Sequence, residues 1–107
     1  MNKQVIEKDW ITKAGFRAAI IKQEMGFRCG YVMIPEGKQF DDEYLEVHGG
    51  ITYRELNKSY PVENETPLLW IGFDCAHFGD KTILDPDGID WTLEKVVAEC
   101  EDLASQL

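Results

Sequence analysis

From Phe16 onward the chain alternates short apolar runs with turn-forming residues, and only near its C-terminus does the apolar period lengthen to that of a helix. Phe16–Gln23 reads as a strand. Glu24-Met25-Gly26 makes a turn in which the glycine accepts a positive φ. In the next strand, Phe27–Ile34, Phe27, Cys29, Tyr31 and Met33 alternate with Arg28, Gly30, Val32 and Ile34. Pro35-Glu36-Gly37 stops it. Tyr44–Glu55 reads as a long strand interrupted by Gly49-Gly50, a pair that marks a bulge or a close backbone approach. Leu68–Cys75 is the most apolar stretch and is expected inside a sheet. Residues 4–15 fit a short strand or a helical turn, because Val5, Ile6, Trp10 and Ile11 sit near helical spacing before Lys13-Ala14-Gly15 ends the pattern.

The helix is predicted over residues 91–106, where Leu93, Val96, Val97, Cys100, Leu103, Ala104 and Leu107 recur at three-four spacing. Asp90 is its expected N-cap, and Glu94 lies in the first turn, where the helix dipole favours negative charge. Phe40-Asp41-Asp42-Glu43 is an acidic loop, Asn57–Pro67 a polar loop with two prolines, and Asp85-Pro86-Asp87-Gly88 a turn rather than a calcium loop. The sum is an α+β domain: a small, mostly antiparallel sheet of three to four strands with one C-terminal amphipathic helix packed on it. At 107 residues the chain holds a single domain, 1–107.

Charge changes this picture more than composition does. Net charge is −9. Residues 1–28 carry six Lys/Arg against three Asp/Glu, residues 29–73 three against eight, and residues 74–107 two against nine. Such a chain repels nucleic acid and anionic membrane, and it attracts a basic protein surface. No apolar run approaches the 18 residues or so of a membrane span. Met1-Asn2-Lys3-Gln4 leads into Glu7, Lys8 and Asp9, which is not the pattern of a signal peptide. With only Cys29, Cys75 and Cys100, reduced thiols and a cytoplasmic setting are expected.

The candidate chemistry lies between Val47 and Asp80, which holds both histidines, His48 and His77, together with Asp74, Cys75 and Asp80. In an extended strand Cys75 points with Ile71 and Phe73, while Asp74 points with Gly72 and Trp70. The histidines meet only if the strands Tyr44–Glu55 and Leu68–Cys75 are neighbours and one of them is bulged; the loop of about 12 residues between them allows an antiparallel pairing. Three chemistries then compete with a purely structural role. His48, Cys75 and His77 with Asp74 or Asp80 would supply ligands to Zn²⁺, but Cys-x-His lacks the wider spacing of recognisable zinc sites, and neither metal nor cofactor is expected. As catalysts, His48 or His77 would be the general base, Asp74 or Asp80 its orienting partner, and Cys75 a nucleophile. In a binding site, Gly49 and Gly50 would let a ligand approach the backbone, Tyr53 and Trp70 would stack on a flat group, and Arg28 with the histidines and Asp80 would complete the pocket.

Arg28-Cys29-Gly30-Tyr31-Val32, Val47-His48-Gly49-Gly50-Ile51-Thr52-Tyr53 and Trp70-Ile71-Gly72-Phe73-Asp74-Cys75-Ala76-His77 with Gly79-Asp80 together resemble a family of small uncharacterised phage and prophage proteins. The resemblance covers roughly residues 16–80. The chain departs from it in the segment Arg54–Pro67, where relatives have Ser-Gly after Thr52-Tyr53. The resemblance implies a setting, the cytoplasm of a bacterial host cell, rather than a reaction, and within it two functions are expected. One is capture, or hydrolysis, of a small phosphorylated or nucleotide-like ligand in a His48/Tyr53/Asp74/His77 pocket, with Arg28 as phosphate partner, in counter-defence. The other is an acidic inhibitor, of the anti-CRISPR kind, that occupies the basic nucleic-acid groove of a host protein through Asp41, Asp42, Glu43, Glu99, Glu101 and Asp102.

Overall fold

The computed structural model describes residues 4–107, so the reading of the first residues as no signal peptide falls in part on residues 1–3, outside the described ones. Five strands form one antiparallel sheet: β1 (Val5–Ile11), β2 (Arg17–Lys22), β3 (Arg28–Ile34), β4 (Tyr53–Asn57) and β5 (Leu68–Asp74). Their spatial order is β1-β2-β3-β5-β4. A single helix, α1 (Leu93–Ser105), follows. The fold is therefore α+β, with five strands where the sequence pattern predicts three to four. The extra strand is β1. Its polar-rich sequence hides it, because an edge strand is covered on one side only: Val5, Ile6 and Ile11 are exposed, and Trp10 alone turns inward toward the helix-side core.

β2, β3 and β5 occupy the interior of the sheet, which explains their apolar runs. Two cores result. On the helix side, Ala18, Ile20, Val32, Ile71, Phe73 and Cys75 pack against Val96, Cys100, Leu103 and Ala104 of α1. Gly30 of β3 makes this packing possible, since a Cβ there would lie 2.6 Å from the Phe73 ring and 2.7 Å from Sγ of Cys100. On the opposite face Ala19, Ile21, Cys29, Tyr31, Val62 and Trp70 form a second core. The polar loop between β4 and β5 covers it: Val62 is buried there, and the Tyr60 hydroxyl lies 2.5 Å from that of Tyr31.

The long strand expected over Tyr44–Glu55 is a correction. Only Tyr53–Asn57 joins the sheet, pairing with β5 from Tyr53↔Gly72 to Asn57↔Leu68. Asp42–Tyr44 is a turn of 3-10 helix, and Gly49 and Gly50 both have positive φ (71° and 81°) in a turn closed by Gly50 N–H donating to the Val47 carbonyl at 2.9 Å. Leu45, Val47 and Ile51 look strand-like because they pack against the helix-side core without a hydrogen-bonded ladder. The helix cap is corrected too. Thr92, not Asp90, is the N-cap: its hydroxyl accepts from Lys95 N–H at 3.3 Å.

Candidate functional site

The site lies where β5 ends and its continuation, residues 75–91, folds back beside the Val47–Ile51 turn. β5 carries Asp74 to the end of the sheet, Asp74 Oδ1 accepts from Ala76 N–H at 3.1 Å, and this tight turn aims His77 back across the chain. Asp80 sits at the centre. It is buried, 3% exposed, and its carboxylate is shared among three donors. Oδ2 accepts from His48 Nε2 at 2.8 Å and from His77 N–H at 3.0 Å, and Oδ1 accepts from Trp91 Nε1 at 3.1 Å. Because a carboxylate only accepts, His48 donates to it through Nε2.

The His48 ring stacks on Trp91, centroids 3.9 Å apart, and meets His77 edge-on at 5.6 Å. Glu99 of α1 accepts from His48 N–H at 2.6 Å, which ties the turn to the helix. His77 Nε2 lies 3.2 Å from Asp74 Oδ1 but without hydrogen-bond alignment, and that buried nitrogen has no hydrogen-bond partner. Asp74 Oδ2 accepts from the Thr52 hydroxyl at 3.0 Å. Gly49 explains the proximity: a Cβ there would fall 2.0 Å from His77 Nε2, so only glycine lets the ring lie on the backbone.

Of the sequence-predicted residues, His48, Gly49, Gly50, Asp74, His77 and Asp80 thus come together at one corner of the molecule. The others do not join them. Cys75 is 1% exposed in the helix-side core, and burial, followed by the field of Asp80, pushes its thiol well above the ordinary range; this is a small buried hydrophobe and not a nucleophile. Trp70 is fully buried in the second core, with Tyr53 packed against the same cluster, on the opposite sheet face from Cys75 and Phe73, so neither is a stacking platform for the histidine corner. Among the described residues, no group of three or more His, Cys, Asp or Glu is arranged to hold a metal ion.

Arg28 links the corner to a neighbouring hollow. It pairs with Glu7 at 2.6 Å and donates through Nη1 to the Trp91 carbonyl at 3.1 Å. Including Nη2 to Glu7 at 3.4 Å, three of its N–H groups are engaged and about two of the five of a guanidinium stay free. It lines a cleft of about 390 Å³ together with Lys22 and Lys81, the Met25-Gly26 turn, Thr82, Ile83, Pro86 and Asp90. The lining carries three cations and one carboxylate, Asp90, with Glu7 paired to Arg28 beside it, in a chain of net charge −9. Neither histidine lines it. The sequence reading missed Lys22, Lys81 and Trp91. For Lys22 a signal was present: a hairpin turning at residues 24–26 sets Lys22 opposite Arg28, which is the observed register. For Lys81 and Trp91 there was none, since they arrive by the fold of the 79–91 loop, where Lys81 N–H donates to the Ile89 carbonyl and Ile89 N–H to the Gly79 carbonyl, each at 2.8 Å. No protein-family model, curated protein or solved structure matches this chain.

Proposed function

We propose that this protein binds a small phosphorylated ligand in the Lys22–Arg28–Lys81 cleft. The observation that carries the reading is the convergence of three cations in one hollow of an acidic molecule. Lys22 and Lys81 make no ion pair among the described residues, and Arg28 is held by Glu7 and the Trp91 carbonyl with donors to spare. Phosphate oxygens accept from such groups, and Arg supplies a fixed planar fork for them. The cleft volume is that of a small-molecule site. The His48/Asp80/Trp91 network stands beside it as the wall that fixes Arg28 and the 79–91 loop. Neither histidine nor Cys75 faces the cleft, which favours capture over hydrolysis. The resemblance to phage proteins gives such capture a role in withdrawing a phosphorylated signal from host defence.

The acidic-inhibitor reading is less well supported, because most of the carboxylates it needs are engaged within the molecule. Asp41 caps the 3-10 turn, Asp42 pairs with Arg54, Glu99 holds His48, Glu101 holds Trp10, and Asp102 accepts from Gln106.

Calorimetric titration with inorganic phosphate and pyrophosphate at low ionic strength tests the proposal. Lys22→Glu/Lys81→Glu should weaken binding by about tenfold or more, roughly 1.4 kcal/mol, while the thermal midpoint stays in place. Undiminished affinity in that variant, or no binding by the parent chain, overturns it.

A further inference from the structure

A second hollow of about 130 Å³ adjoins the cationic cleft, lined by Met25, Phe27, Ala76, Thr82 and Leu84. Met25 and Thr82 line both spaces, so the two adjoin. Its character is opposite to that of the cleft: Thr82 alone brings a polar side chain, and the Thr82 hydroxyl already accepts from Leu84 and Asp85 N–H at 3.2 Å each. Met25 (49%) and Leu84 (88%) stand exposed beside it, an uncovered apolar surface next to a charged one. An apolar cavity of about 150 Å³ accommodates one benzene ring, so this volume is on the scale of a single six-membered ring. A thioether and an aromatic side chain in its wall both make favourable contacts with such a ring.

We infer that the ligand of the cleft is a phosphate ester carrying one aromatic ring, with the phosphate among Lys22, Arg28 and Lys81 and the ring between Met25, Phe27 and Leu84. This inference rests on the phosphate reading above and adds the second half of the ligand.

The test compares inorganic phosphate, methyl phosphate and phenyl phosphate by calorimetry on the parent chain and on Leu84→Ser, an exposed position that lines the ring hollow and not the cationic cleft. Phenyl phosphate should bind about tenfold more tightly than methyl phosphate to the parent chain. In the variant that preference should vanish while inorganic phosphate binds as before. Equal affinity for the two esters, or a preference that survives Leu84→Ser, overturns the ring subsite and leaves the phosphate site standing. Failure of all three probes to bind overturns both.

Discussion

Asp80 is the residue on which the corner depends. One buried carboxylate satisfies His48, the His77 amide and the Trp91 indole, so removing it strands donors that water cannot easily reach. Asp80→Ala should destabilise the fold by about 3 kcal/mol in urea denaturation, and Asp80→Asn, which keeps one acceptor, by less. Gly49→Ala should be costly for two separate reasons, a positive φ of 71° and the His77 ring 2.0 Å from the new methyl group. A loss of about 2 kcal/mol is expected, seen as a fall of some 10 °C in the thermal midpoint. Cysteine chemistry offers a third check. Burial raises Cys29 and Cys75 and pushes Cys100 up to about 12, so native protein should resist thiol alkylation at pH 8 and react at all three positions only in denaturant.

At the scale of elements, α1 is tied to the sheet by more than its apolar stripe. Glu101 accepts from Trp10 Nε1 of β1 at 2.8 Å and from Lys13 N–H at 2.9 Å, and these bonds, the indole's first, hold its carboxyl below the usual range. A carboxyl depressed in the folded state stabilises that state above its unfolded pKa, and the contribution is lost as pH falls through the folded value. The parent chain should therefore lose stability on acidification below about pH 4.5. Glu101→Gln should show a shallower loss over that interval, measured as thermal midpoint against pH. The contribution sits at the β1 edge, far from the cationic cleft, so phosphate binding near neutral pH should be unaltered by this substitution.

For the molecule as a whole, the arrangement of charge and apolar surface matters more than its total. Both sheet edges are blunted against pairing with other chains: β1 shifts register between Ile6 and Lys8 and carries a lysine, and β4 has five residues. Exposed apolar side chains stand on the edge strands, at Val5, Ile6, Ile11 and Leu56, and also on the loop after β5, where Phe78, Ile83, Leu84 and Ile89 stand clear of the core. Phe78→Ser should leave the thermal midpoint unchanged and reduce binding of a hydrophobic dye. Ligand binding, being an attraction between an anion and a few local cations, should weaken steeply between low salt and about 0.15 M, where screening reaches about 8 Å.

The helix, the β2–β3 hairpin and the interior position of β5 were legible along the chain because each follows from local periodicity and neighbouring turn residues. Two central strands read as apolar runs whichever sheet they join, and the stripe from Leu93 to Leu107 describes a helix whatever it packs on. The clustering of His48, Asp74, His77 and Asp80 was legible as a possibility, since all four lie in or beside the segments flanking one loop. Its consequences were not. Whether Cys75 reacts, which sheet face holds Trp70 and Tyr53, and whether Tyr44–Thr52 pairs or merely packs are matters of burial and of the partners that β3, β4 and α1 bring. Lys22 and Lys81 stand 59 positions apart and enter one cleft only because the 79–91 loop closes over the end of the β2–β3 hairpin. Local propensity carries no information about such a contact, because long-range packing creates it.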